Sequence, residues 1–220
     1  MFDRFGFDGP GDADDYETVR ERMIRTVASR VDDDRVLEAL ESVPRHEFVP
    51  PDRRGDAYAD RPLPIGEGQT ISAPHMVAIM ADELELEEGE SVLEIGTGCG
   101  YHAAVTAEFV GAENVYSVEY GEELAEKARE RLKKTGYGDV SVRVGDGREG
   151  WADHAPYDAA YFTCATPELP GPVVEQLQTG GRLLAPVGTA FQTLVKATKR
   201  ADGSLERTEH CGVRFVRMRG

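Results

Sequence analysis

Residues 92–100 read Val92-Leu-Glu94-Ile-Gly96-Thr97-Gly98-Cys99-Gly100. The apolar run at 91–95 predicts a buried strand, and Tyr101–Val110 behind it predicts a helix. The glycines between them let the backbone turn sharply and approach a ligand closely. The helix start adds unpaired N–H groups. A dinucleotide fingerprint would need its third glycine at position 101. Tyr101 stands there, so the spacing is GxGxG, and its ring would crowd a pyrophosphate. A nicotinamide oxidoreductase is disfavoured on that ground.

Working outward, strands are expected at 114–118, 140–144, 157–163 and 182–186, and helices at 73–84, 122–135 and 172–178. This alternation predicts an α/β fold, a doubly wound and mostly parallel sheet covered on both faces. The C-terminal part differs: 192–199, a turn at 201–204, and 213–218 suggest antiparallel edge strands. Two N-terminal helices precede the core. One carries the stripe Tyr16, Val19, Met23 and Val27; the other is capped by Asp33 or Asp34, carries Val36, Leu37, Leu40 and Val43, and stops at Pro44. Residues 50–71 hold four prolines and three glycines, an irregular segment of the kind that is usually functional. Residues 1–15 read as a mobile acidic arm. A length of 220 residues suits one domain over 16–220: helices and a substrate/cofactor loop (16–72), a cofactor-binding core (73–190) and C-terminal strands (191–220).

Composition narrows the partners. Hydrophobic residues make up 40% and charged residues 30%, a globular balance. There is no apolar run near the ~20 residues of a membrane span, and the N-terminus lacks the pattern of a signal peptide. A cytoplasmic protein without a membrane partner is therefore expected. Cys99, Cys164 and Cys211 are odd in number and widely spaced, so neither a disulfide framework nor a metal site is expected. The net charge is −16, with five lysines. Such a surface repels nucleic acid and suits high salt, where charges are screened within ~3 Å at 1 M; a halophilic protein is expected.

Glu119 ends the second core strand, where a carboxylate can accept both hydroxyls of an adenosine ribose. Asp146-Gly147 follows the third strand, where a carboxylate and an open backbone can meet an adenine edge. The competing readings are a tight turn at 96–100 and an ordinary turn at 146–147. Three elements at three successive strand ends converge on one crevice. This arrangement resembles the class I AdoMet-dependent methyltransferases over residues 90–190, which implies S-adenosyl-L-methionine (AdoMet) as cofactor.

Further stretches are more specific. They are Arg45-His-Glu-Phe-Val-Pro50, Ala57-Tyr-Ala-Asp-Arg-Pro-Leu-Pro-Ile-Gly66, Gln69-Thr-Ile-Ser-Ala-Pro-His-Met76, Val144-Gly-Asp-Gly147, Gly180-Gly-Arg-Leu-Leu-Ala-Pro-Val-Gly188 and Val213-Arg-Phe-Val216. Together with the glycine loop, they resemble the protein-L-isoaspartate O-methyltransferase family from Tyr16 onward. The resemblance implies methyl esterification of the free α-carboxylate of L-isoaspartyl residues in damaged proteins and peptides, with a monomer favoured. It implies Ser72 as the active-site serine, Thr70 and Ile71 closing over the cofactor, and Gln192 helping to hold it. Glu94, Gly96, Thr97, Gly98, Gly100, Glu119, Asp146 and Gly147 complete the expected cofactor set. Cys99 and His102 depart from the family pattern, where Ser and Gln are usual.

Read from the residues alone, Ser72 is ambiguous: it precedes Ala73-Pro74 and could simply cap a helix. His75 reads as structural, and no motif supports Cys164 as a nucleophile. Alternatives are a class I methyltransferase for a small molecule or RNA, and a non-catalytic AdoMet-binding protein. The second would not need the segment 60–76.

Overall fold

The computed structural model describes residues 13–220. Helix α1 (Ala13–Val27) begins inside the stretch expected as an arm; the remainder of that stretch lies outside the described residues. Its stripe packs on the core, with Met23 and Val27 fully buried and Tyr16 and Val19 partly so. Helix α2 (Asp34–Ser42) starts at Asp33, whose carboxylate accepts the Arg35 N–H at 2.9 Å. Both pack with α3 (Pro74–Leu84), and α2 also packs on α4 (Tyr101–Val110).

The sheet comprises β3 (Val92–Ile95), β4 (Val115–Glu119), β5 (Ser141–Val144), β6 (Tyr157–Phe162), β7 (Leu177–Val187), β8 (Gln192–Lys199) and β9 (Leu205–Val213), in the order β5-β4-β3-β6-β7-β8-β9. The pairings through β7 are parallel; β8 and β9 are antiparallel additions. Helices α5 (Glu122–Lys134) and α6 (Gly171–Glu175) belong to the crossovers. The doubly wound α/β expectation holds. Strand order reverses at β3, between β4 and β6, so a crevice opens at the carboxyl ends of these strands.

Three local expectations are corrected. The segment 50–71 contains a hairpin, β1 (Leu63–Gly66) and β2 (Gln69–Ile71), that Pro62 and Pro64 hid from a strand reading. Its turn residues Glu67 and Gly68 both have positive φ, 50° and 71°, as a two-residue hairpin turn of type I′ requires. The last strand is Leu205–Val213 rather than 213–218. Pairing starts straight after the tight turn at Asp202-Gly203, and the charged, exposed β9 conceals the alternation. Residues 214–218 instead cross the top of the sheet, where the Ala165 N–H donates to Val216 O and the Met218 N–H to Ala165 O, both at 2.8 Å. Helix α6 stops at Glu175, because Leu177 already pairs with Tyr157.

Every residue of β3 is buried, including Glu94. Its carboxylate accepts from Tyr161 Oη at 2.9 Å and from Ser117 Oγ; Ser117 in turn meets Thr97 Oγ1 at 2.5 Å, and Thr106 Oγ1 donates to Tyr161 Oη at 2.9 Å. Burial outweighs the two donors and pushes the Glu94 carboxyl up to about 8, with Glu119 adding repulsion. A carboxyl raised above its ordinary 4.5 contributes full stability below that pH and loses it as pH climbs through about 8. Glu94→Gln should therefore gain stability relative to the parent as pH rises from about 5 to 8.5, measured by urea unfolding. A constant difference across that range would contradict a protonated Glu94.

Candidate active site

The crevice floor is the glycine loop. Gly96 has φ +102°, and a Cβ there would strike the Thr163 hydroxyl. Thr163 is tied down by donating to Ile95 O at 3.3 Å and to Gly96 O. Glu119 ends β4 with its carboxylate facing the loop: Oε2 accepts the Gly98 N–H at 2.8 Å and Oε1 the Gly121 N–H at 3.0 Å. A carboxylate has about four acceptor sites, so about two remain for a ligand. Gly96, Thr97, Gly98 and Glu119 line the crevice together with Thr70, Ile71 and Ser72. Gly147 joins at the β4–β5 side, where a side chain would collide with Ile95.

Four expected residues stand outside that lining. Glu94 lies beneath the floor and holds Thr97 through Ser117. Asp146 faces Arg148, which pairs with it at 2.5 Å and holds its carboxyl below the usual range. Gln192 lines the neighbouring cleft, where its amide clamps the Phe215 backbone, donating to the carbonyl at 3.1 Å and accepting the N–H at 2.6 Å. Gly100 starts α4, with φ +89° and its Cβ direction blocked by Leu132.

The roof is made by residues 69–72 and by Val216, Met218 and Arg219. Arg219 latches the two parts through Glu67 at 2.9 Å. Between floor and roof lie two partly open spaces of about 50 and 40 Å³. Beyond them lies an open cleft of about 1120 Å³. Thr70, Ser72, Thr163 and Val216 line both the crevice and the cleft.

Ser72 is not a helix cap. The N-cap of α3 is Ala73, and the Asp60 carboxylate takes the capping role, accepting from the His75 N–H at 3.0 Å and bonding its Nδ1 at 2.7 Å. This also gives His75 its structural role. Ser72 is held by its carbonyl, which accepts from Arg45 Nη2 at 2.8 Å. Arg45 is completely buried; its Nε donates to Ala57 O at 2.7 Å and its guanidinium lies 4.8 Å from the Tyr101 ring centroid. Cys164 is buried, which pushes its thiol up to about 12 and leaves it protonated at neutral pH. His102 is neutral, pushed down to about 3 by burial, and neither ring nitrogen has a partner among the described residues. It lines the crevice against Tyr161.

Sequence reasoning missed Arg45, Asp60, Glu67 and Arg219. Their roles depend on partners 12 to 152 residues away, which the quoted motifs do not reveal by themselves. The set fits AdoMet. The glycine cradle admits close approach, Glu119 has acceptor capacity to spare, and His102 lines the crevice with two ring nitrogens that have no partner among the described residues.

Known proteins share this design. The family model for protein-L-isoaspartate(D-aspartate) O-methyltransferase matches residues 18–220. A protein-L-isoaspartate O-methyltransferase 2 of Archaeoglobus fulgidus is 52% identical over 94% of this chain and 95% of its own length. One from Methanothrix thermoacetophila is 51% identical, over 91% and 95%. A solved protein-L-isoaspartate O-methyltransferase superposes with a TM-score of 0.84 at 29% identity, covering 91% of this chain and 66% of its own. A Plasmodium falciparum protein described by the same name, solved with S-adenosyl-L-homocysteine, superposes at 0.78 and 23% identity over 93% and 98%, and shows the shared fold. With half its residues identical to relatives of equal length, and a glycine crevice meeting an open cleft at Ser72, the chain belongs to the protein-L-isoaspartate(D-aspartate) O-methyltransferase family.

Proposed function

We propose that this chain transfers the methyl group of AdoMet to the free α-carboxylate of L-isoaspartyl residues in damaged proteins and peptides, initiating their repair. The observation that carries the reading is the meeting of crevice and cleft at Thr70, Ser72, Thr163 and Val216. A buried cofactor and a peptide from solvent can come face to face there.

AdoMet supplies a methyl already activated by its sulfonium. The protein has to bring one carboxylate oxygen in line with it at near-attack distance. A carboxylate of pKa ~4 is ionised at neutral pH, so the step needs no general base. The Ser72 hydroxyl donates a hydrogen bond that aims the acceptor oxygen, and Arg45 fixes the Ser72 backbone from behind. Gly96, Thr97, Gly98 and Gly100 form the cradle, and Glu119 takes the ribose hydroxyls. Gly147 would admit the adenine edge, and Asp146 would help hold it only with the acceptor capacity that Arg148 leaves. Thr70 and Ile71 close above and keep water out. Glu94 and Gln192 act through others, one beneath Thr97 and one behind Phe215. Methylation of an isoaspartyl peptide but not its aspartyl twin is the expected result; equal activity on both, or none on either, would reject this reading.

Glu119→Ala should weaken AdoMet binding by about 1.5–3 kcal/mol, the range for charge-assisted hydrogen bonds. Calorimetry on the folded variant checks this, and unchanged affinity would remove the ribose role. Ser72→Ala should lower kcat well beyond any loss of AdoMet affinity. Its melting temperature should stay near that of the parent, since Asp60 caps α3. Loss of stability with kcat preserved would restore the capping role.

The reading extends to a salt-adapted surface. The chain carries 41 acidic against 25 basic residues, and like charges oppose the compact state when unscreened. Screening shortens from ~30 Å at 0.01 M to ~3 Å at 1 M. The melting temperature should therefore rise between about 0.05 and 2 M KCl. A flat or falling trend would remove the halophilic reading and leave the enzymatic one intact.

A further inference from the structure

The open cleft runs against the charge of the whole chain. Acidic residues number 41 of 220, yet no Asp or Glu lines this cleft among the described residues. Its ionisable side chains are His75, Arg214 and Arg217. His75 is committed to Asp60. Several exposed or half-buried arginines elsewhere are answered by carboxylates, as in Arg54–Glu47, Arg61–Asp56 and Arg219–Glu67. The Arg214 side chain has no ion pair or hydrogen bond among the described residues, and Arg217 has one weak contact, Nη2 to Thr189 O at 3.4 Å. Both are exposed. They flank Phe215 and Val216, whose backbone is fixed by Gln192 and by Ala165, so the two guanidinium stems start from anchored positions. The cleft also carries Phe191 at 93% exposure, on the turn between β7 and β8. Its ring gives the cleft an apolar surface beside the two arginines.

A net charge of −16 repels an anionic peptide at a distance. Two unpaired arginines in an acid-free cleft reverse that sign locally, and guanidinium groups match carboxylates in planar, two-point geometry. Resting on the function proposed above, we propose that Arg214 and Arg217 make the acceptor cleft selective for isoaspartyl sites flanked by acidic side chains. The partner is an anionic peptide with a second carboxylate beside the one to be methylated, and Phe191 covers its apolar part.

The test uses the full chain and synthetic isoaspartyl peptides that differ only in the flanking residues: Glu, Ser or Lys. For the parent, kcat/KM in about 0.1 M KCl should favour the Glu-flanked over the Ser-flanked peptide by about tenfold, the scale of one charge-assisted contact. In the double variant Arg214→Gln/Arg217→Gln that ratio should fall to about two or less. In Arg214→Glu/Arg217→Glu the Lys-flanked peptide should become preferred. Each ratio is taken on one preparation, so an unfolded fraction cancels. Equal rates on Glu- and Ser-flanked peptides in the parent, or a preference that survives the double substitution, would overturn the inference and leave the methyltransferase reading standing. Failure to methylate any isoaspartyl peptide would instead overturn the reading on which the inference rests.

Discussion

One buried guanidinium ties together parts of the chain that are otherwise separate. Arg45 follows the N-terminal helices, yet its donors reach Ala57 and Ser72, and its plane rests on Tyr101 at the start of α4. Among the described residues no carboxylate answers it; two carbonyls and a ring do. Taking such a charge out of water costs several kcal/mol, and removing its partners is costlier still. The segment 57–72 therefore cannot shift freely relative to α4 without exposing that cost. A loop rich in proline and glycine thus becomes a fixed wall of the site, with Ser72 held by its carbonyl and its side chain left for the cleft.

Floor and roof are built from different materials. The floor rests on the chain of hydroxyls and carboxyls from Thr97 through Ser117, Glu94 and Tyr161 to Thr106, all buried. Such a network is rigid when every member is satisfied. The roof consists of a hairpin with strands of four and three residues and a crossing segment, joined by the Arg219–Glu67 pair. That pair is about one third exposed on each side, and pairs of that kind contribute ~0–1 kcal/mol. Leu63, Ile65 and Ile71 root the hairpin in the core, whereas no residue of 216–219 is fully buried, so any opening falls to the crossing segment.

The sheet was readable from the sequence because buried parallel strands are short apolar runs and their helices are amphipathic. Tyr101–Val110 and Gln192–Lys199 fall on the expected residues. The cofactor crevice was readable because Gly96 and Glu119 carry their meaning in local spacing. What failed depends on contacts distant in sequence. Two prolines masked β1, the ladder starting at Leu177 cut α6 short, and the charged face of β9 drew the strand reading onto residues 213–218. Asp146 is an instructive case: its place after β5 was foreseen, while its capture by a neighbour two residues on, Arg148, was not. The capping role that stood as an alternative for Ser72 falls to Asp60, and a carboxylate twelve residues upstream leaves no local mark.

The roofed crevice also has a kinetic consequence. Its outlet toward the peptide is the narrow junction at Ser72 and Thr163, and that junction opens into the cleft the peptide fills. Cofactor and peptide occupy adjoining spaces, so transfer can run directly within a ternary complex. The demethylated cofactor fits the crevice that AdoMet needs, which makes it a competitor of AdoMet rather than of the peptide. The enzyme's pace then answers to the ratio of those two molecules as well as to the amount of damage present.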